Sequence, residues 1–199
     1  MADLNFDTPE VSILLLGDAD VGKSMFLSRL TLGSRGPAAS GTKALPVLKD
    51  MDQPFVFDIK MYNRPYRFEF YDTASPTSYA LLKPSVIVLC YSIPERDTLN
   101  SLHTRWKHIV ETHFNYDELI PVVTLGLKRD LRREGDPNVV FPQEGLRVAQ
   151  EMRCDRYCEC SALTGELCRE VFEDLAKTAA LTTTEEGGGR SEPPACTVM

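Results

Sequence analysis

No stretch of the 199-residue chain approaches the ~20 consecutive apolar residues that a bilayer-spanning helix needs. Also missing is a basic start followed by an apolar segment, because the opening MADLNFDTPE is acidic. A cytosolic protein is therefore expected. There is no basic surplus either: 22 Lys and Arg stand against 29 Asp and Glu, a net charge of −7. Nothing is left over to neutralise phosphates, which argues against nucleic-acid binding. The six cysteines, Cys90, Cys154, Cys158, Cys160, Cys168 and Cys196, have no framework-like spacing. Cys154, Cys158 and Cys160 lack CxxC pairs and a nearby histidine, so thiols in a reducing compartment are expected rather than a zinc site. His103, His108 and His113 recur every five residues, which does not hold them on one helical face.

What is present is an ordinary globular composition, 43% apolar and 26% charged. A chain of this length buries roughly 70% of its unfolded surface and can form one domain without disulfides or a structural metal. Residues 11–16 (VSILLL), 86–91 (VIVLCY) and 120–125 (IPVVTL) are short apolar runs bounded by turn residues, the pattern of strands buried on both faces. Between and after them lie segments of helical length at 23–32, 94–114, 142–152 and 167–180, an alternation that predicts a parallel sheet. Phe55, Phe57, Ile59 and Met61 alternate with Val56, Asp58, Lys60 and Tyr62, and the alternation resumes at Tyr66, Phe68 and Phe70 after Asn63-Arg64-Pro65. That pattern predicts an antiparallel hairpin at a sheet edge. With a short strand begun by Tyr157, the expected fold is α/β: a mostly parallel six-stranded sheet with one antiparallel edge strand and helices on both faces. Such sheets bind ligands at the carboxyl ends of their strands. Residues 33–50 read as a long mobile loop and 182–195 as a disordered tail.

Directly after the first run stand Gly17, Asp18, Ala19, Asp20, Val21, Gly22, Lys23 and Ser24, which match GxxxxGK[ST] in the strand, loop, helix context that the motif requires. Backbone N–H groups there converge on phosphate oxygens, Lys23 adds a point charge, and the Ser24 hydroxyl can ligate Mg²⁺. Asp72 ends the hairpin's second strand, where a carboxylate can hold the Mg²⁺ hydration shell. Leu127-Lys128-Arg129-Asp130 and Cys160-Ser161-Ala162-Leu163 each follow a strand on the same side.

The segments YDTA, LGLKRDLR and YCECSALTG make the chain resemble a Ras-superfamily small GTPase, closest to the Rho branch, from Val11 to the C-terminus. The resemblance implies a single P-loop NTPase G domain at 11–180, between a short extension at 1–10 and a tail at 181–199. It also implies GTP or GDP with Mg²⁺ as cofactors, effector proteins and an exchange factor as partners, and a monomeric state. By the same resemblance Asp130 would accept hydrogen bonds from the guanine N1–H and exocyclic amine, and the Lys128 stem would lie over the base. The Ala162 N–H would face the guanine O6, with Ser161 and Leu163 beside it among the guanine-base residues. An ATP-dependent kinase of similar size is disfavoured by Asp130 and the SAL segment.

Four departures from the family pattern bear on chemistry. The family's DTAGQ is here Asp72-Thr73-Ala74-Ser75-Pro76, so Pro76 replaces the water-positioning glutamine, and Ala19 places a methyl group beside the reacting phosphoryl. Both disfavour hydrolysis more than binding and bring the chain near GTPase-deficient Rho relatives of the Rnd type. Counting forward from Ser24 by family spacing makes Thr42 the candidate metal ligand of the first switch, whereas counting back from Asp72 reaches Asp50. Leu127 stands where the family has asparagine or threonine and cannot tie the base loop to the phosphate loop by a side-chain hydrogen bond. Residues 130–142 are too few for the extra helix of Rho proteins. These changes keep a second reading open, a pseudo-GTPase interaction scaffold with structural or no nucleotide.

Cys196-Thr197-Val198-Met199 fits a CaaX box with a terminal Met, so farnesyl transfer to Cys196 by a prenyltransferase is expected. One lipid chain without a polybasic patch gives reversible membrane association, so a cytoplasmic pool is expected beside protein on the cytoplasmic face of the plasma membrane.

Overall fold

Strand β1 (Glu10–Leu16) runs through the middle of the sheet, and its last four residues have no exposed surface. The structure, a computed structural model, describes residues 8–32, 45–49, 52–61, 63–72, 79, 81–114 and 119–183. Thr42, Asp50, Thr73 to Pro76 and Cys196, with most of the expected loop and tail, lie outside those residues.

After β1 come α1 (Lys23–Thr31), the hairpin β2 (Phe55–Met61) and β3 (Arg64–Asp72), and β4 (Val86–Ser92). Helix α2 is three continuous runs, Arg96–Ser101, a π-helical Leu102–Trp106 and Lys107–His113. It is followed by β5 (Val122–Leu127), α3 (Pro142–Glu151), β6 (Arg156–Glu159) and α4 (Cys168–Leu181). The sheet order is β2-β3-β1-β4-β5-β6. Only the β2–β3 pair is antiparallel, with Phe55 opposite Phe70 and Met61 opposite Arg64. This is the mixed six-stranded α/β fold that the apolar runs and the hairpin alternation predict.

Pleating sends alternate side chains of each strand to opposite faces, so both faces of the sheet carry a core. Ile13, Leu15, Val88 and Cys90 meet Phe26 and Leu27 of α1 and Val171, Leu175 and Ala179 of α4. Leu14, Leu16, Leu89 and Tyr91 meet Leu99, Leu102, Trp106 and Val110 of α2. Removing one such leucine would cost about 2–5 kcal/mol, because the cavity adds to the lost transfer energy. Cys158 joins the first of these cores and Cys154 the second, so the cysteine group is split between the two faces of the sheet.

Two boundaries differ from those expected. The strand expected at 120–125 lies at Val122–Leu127, because Pro121 has no N–H for a ladder and the Val122 N–H donates to Asp155 Oδ2 at 2.8 Å. It continues to Leu127 because Gly126 and Leu127 pair with Tyr91 and Ser92. Arg64 and Pro65, expected in the hairpin turn, already pair with Met61 and Lys60 in the ladder, and Asn63 before them takes the left-handed conformation (φ 61°). Beyond a single 3₁₀ turn at Arg129–Leu131, residues 132–141 form no helix, in line with the expected lack of an inserted one.

Candidate functional site

The loop from β1 to α1 is shaped by contacts that only small residues permit. Gly17 has φ 149°, and a Cβ there would stand 2.2 Å from the Cys90 carbonyl oxygen of β4. Asp20 (φ 59°) and Gly22 (φ 111°) also take left-handed conformations, which curl the backbone over the start of α1. That helix has no side-chain cap and no acidic residue in its first turn, so its leading N–H groups present positive potential. Lys23 is 7% exposed, and its ammonium donates to Gly17 O at 3.1 Å and Asp18 O at 2.8 Å. Ala19, Asp20 and Ser24 lie at the exposed mouth.

Asp72 meets this loop from the end of β3. Its Oδ2 accepts a 2.6 Å hydrogen bond from Ser24 Oγ, and its Oδ1 lies 3.9 Å from Lys23 Nζ. The Gln53 side-chain amide holds the Asp72 backbone at two points, donating to Asp72 O at 3.0 Å and accepting from Asp72 N at 2.9 Å. Gln53 precedes β2, so its side chain extends the β2–β3 ladder by one pair.

On the other side Asp18 is fastened to α2. Its Oδ1 accepts from Ser101 Oγ and from Trp106 Nε1, each at 2.9 Å, and Arg105 stands 3.8 Å away, stacked on the Trp106 ring. Ser101 precedes the π-helical turn and Trp106 ends it, and both bond the same carboxylate oxygen.

The ends of β5 and β6 form a second group. Leu127, 1% exposed, packs on the loop from β1 to α1: a Cβ at Gly22 would lie 3.7 Å from Leu127 Cβ and 3.9 Å from Lys128 Cε. Lys128 is left-handed (φ 60°), and its ammonium pairs with Glu95 at 3.0 Å. That hydrogen bond holds the Glu95 carboxyl below its ordinary pKa against the opposing effect of burial. Asp130 Oδ1 accepts from the buried Ser161 hydroxyl at 2.5 Å, which joins the loops after β5 and β6 directly. Ala162 is buried and Leu163 exposed. From α1, Arg29 donates through Nε to Ala162 O and through Nη2 to Leu163 O, both at 2.6 Å. Behind the site, burial pushes the Cys90 thiol up to about 12, so it stays neutral beside Lys23.

Of the residues singled out in the sequence, Gly17 to Ser24 with Asp72 form one cluster, and Lys128, Asp130, Ser161, Ala162 and Leu163 form another beside it. Leu127 and the Lys128 stem lie between the two, against Gly22. Thr42, Pro76 and Cys196 lie outside the described residues. Sequence reasoning missed Arg29, Gln53, Glu95 and the Asp18 anchors on α2. Their partners are backbone atoms or distant side chains, which leave no motif.

The arrangement offers ammonium and backbone N–H donors after β1, hydroxyl and carboxylate oxygens beside them at the end of β3, and a carboxylate beside a turn on the other side, after β5. A family model described as Ras family matches residues 12–181. GTP-binding protein rho2 of Schizosaccharomyces pombe is 28% identical over 94% of this chain and 94% of its own length. GTP-binding protein RHO1 of Candida albicans is 27% identical over 84% of this chain and 86% of its own. GTP-binding protein RHO1 of Saccharomyces cerevisiae is 27% identical over 88% and 86%. Together with the mixed six-stranded sheet and the loop at the end of β1, these likenesses fix the family: the chain belongs to the Ras family of small GTPases, on its Rho branch.

Proposed function

We propose that this chain binds GTP and GDP with Mg²⁺ as a signalling switch whose own hydrolysis of GTP is slow or absent. The observation that carries the reading is the meeting of Lys23, Ser24 and Asp72, with Ser24 Oγ 2.6 Å from Asp72 Oδ2. Hydroxyl and carboxylate oxygens are the hard donors that Mg²⁺ takes, so the donor set fits the ion. Ser24 would ligate it directly and Asp72 through water, with Thr42 the candidate from the first switch. The bound ion supplies charge neutralisation on the β- and γ-phosphates. The loop from Gly17 to Gly22 turns its N–H groups to the phosphates, and the Lys23 ammonium supplies donors to the outer oxygens. Asp130 accepts from the guanine N1–H and exocyclic amine, a pairing adenine cannot offer because its N1 is an acceptor. The Lys128 stem covers the base, and the Ala162 N–H, placed by Ser161 and Leu163, meets O6.

The slow turnover rests on residue types. Proline at position 76 has neither an amide oxygen nor an N–H to orient an attacking water, and the Ala19 methyl crowds the reacting group. Unassisted Ras-type hydrolysis proceeds at about 10⁻⁴ to 10⁻³ s⁻¹. Losing an orienting group lowers a rate on the order of 10²-fold, which stretches turnover from tens of minutes to days. Control then falls to abundance and location: farnesyl transfer to Cys196 by a prenyltransferase would give reversible residence at the cytoplasmic face of membranes, where effector proteins are met.

Displacement of a fluorescent GDP in Mg²⁺ buffer tests the reading. Unlabelled GTP should compete at stoichiometric concentration while ATP fails at hundredfold excess. Absence of binding would favour the interaction scaffold, a reading supported by Leu127, which gives the phosphate loop only van der Waals contact.

A further inference from the structure

Three consecutive carbonyls of the loop after β6 are pinned from one side. Ser161 O accepts from Gly165 N at 2.8 Å and from Cys168 Sγ at 3.2 Å. Ala162 O and Leu163 O accept from the two prongs of Arg29 at 2.6 Å each. In a planar trans peptide the N–H points opposite to the C=O, so fixing Ser161 O and Ala162 O fixes the Ala162 and Leu163 N–H directions. The guanidinium also lies along the turn at Gly165, where a Cβ would sit 3.9 Å from Arg29 Cζ. A forked, planar donor holds two neighbouring carbonyls with a definiteness that a single ammonium cannot.

Arg29 is held as firmly as what it holds. It stands six residues after Lys23 on one continuous helix, a rise of about 9 Å, so it connects the phosphate-side loop to the base-side loop through a rigid element. The other connection, Leu127 against Gly22, is apolar and sets distance without setting direction.

We propose that Arg29 is a positioning residue for base recognition: Gly165 N and Cys168 Sγ, through Ser161 O, set the plane that carries the Ala162 N–H, and the Arg29 fork on Ala162 O and Leu163 O braces the next two planes, so that this N–H stays aimed at the guanine O6 and is tied to the helix that begins on the phosphates. This rests on the guanine-nucleotide reading above. Arg29 touches no nucleotide atom in this account. Its effect should therefore fall on the part of the affinity that depends on O6.

The test compares GDP with 6-thio-GDP, in which sulfur, a weaker acceptor, replaces O6 while the N1–H and 2-amino groups that meet Asp130 are kept. Arg29→Met keeps the side-chain stem and removes both donors. It should release GDP on the order of tenfold faster, the size expected for losing hydrogen bonds that orient a contact. The preference for GDP over 6-thio-GDP should shrink at least about threefold, with Arg29→Lys between Arg29→Met and wild type because one ammonium replaces the fork. Thermal unfolding reports whether each variant is folded, and if Arg29→Met is not, the ratio in Arg29→Lys decides. Wild-type dissociation and an unchanged ratio in the variants would overturn the role of Arg29 alone. Equal loss of both nucleotides would also overturn it, making the residue a general structural support. A wild-type protein that binds no GDP would overturn the nucleotide reading and this role with it.

Discussion

Ser24 Oγ donates to Asp72 Oδ2 across 48 residues of sequence and joins the first turn of α1 to the carboxyl end of β3. In the account above these two oxygens stand where Mg²⁺ belongs, so Asp72→Asn should uncouple nucleotide retention from the ion. In Mg²⁺ buffer the variant should lose fluorescent GDP at least about tenfold faster than wild type, for the loss of one charged partner. Adding EDTA should then accelerate wild type strongly and the variant little. Equal EDTA sensitivity in the two would place the ion elsewhere.

Base choice should be reversible at one atom pair. Asn at position 130 keeps an acceptor for the Ser161 hydroxyl and turns an NH₂ donor toward the base, which matches the C2 carbonyl of xanthine rather than the guanine amine. Asp130→Asn should bind GDP on the order of 10²-fold more weakly, as when a site built for a hydrogen bond meets the wrong partner. Xanthosine diphosphate should bind the variant better than wild type. Competition titrations with the two nucleotides read this directly.

Trp106 is the chain's single tryptophan, and its indole N–H donates to Asp18, the second residue of the phosphate-side loop. Its fluorescence should therefore shift in wavelength or intensity when nucleotide is stripped with EDTA and return on adding Mg²⁺ and GDP. In Asp18→Ala the shift should be lost even where binding persists. A signal unmoved by stripping would mean that the loop and α2 respond independently.

Burial raises the Cys154 and Cys158 thiols to about 11 each, so at neutral pH both are protonated and poorly nucleophilic. The thiolate fraction of each rises about tenfold per pH unit until the pKa is reached. Alkylation of the two peptides by iodoacetamide, followed by mass spectrometry from pH 7 to 10, should climb without a plateau. Levelling off near pH 8 would contradict the burial of these sulfurs.

The sheet was legible because its strands are buried on both faces and so appear as unbroken apolar runs, VSILLL and VIVLCY above all. The phosphate-side loop was legible because its backbone conformations require glycine at fixed spacing, as Gly17 against the Cys90 carbonyl shows. Arg29 was not, because it bonds backbone carbonyls 133 and 134 residues away, and a carbonyl carries no residue-type signal. Gln53 was hidden for the same reason, since it pairs with the Asp72 backbone. The π-helical turn of α2 has no proline or glycine to announce it, and the Asp18 carboxylate that Ser101 and Trp106 bond there is distant in sequence. The start of β5 was misplaced because Ile120 and Pro121 continue an apolar run in which only Pro121's missing N–H marks the boundary.

The nucleotide carried by freshly purified protein tests the central claim most directly. It should be released by denaturation and resolved by ion-exchange chromatography, before and after a day with Mg²⁺. Guanine nucleotide is expected in near-stoichiometric amount, mostly GTP, and still GTP after the day, as Pro76 and Ala19 require. GTP converted to GDP within an hour would contradict the slow turnover, and a protein that emerges empty and takes up no added GTP would contradict the nucleotide site itself.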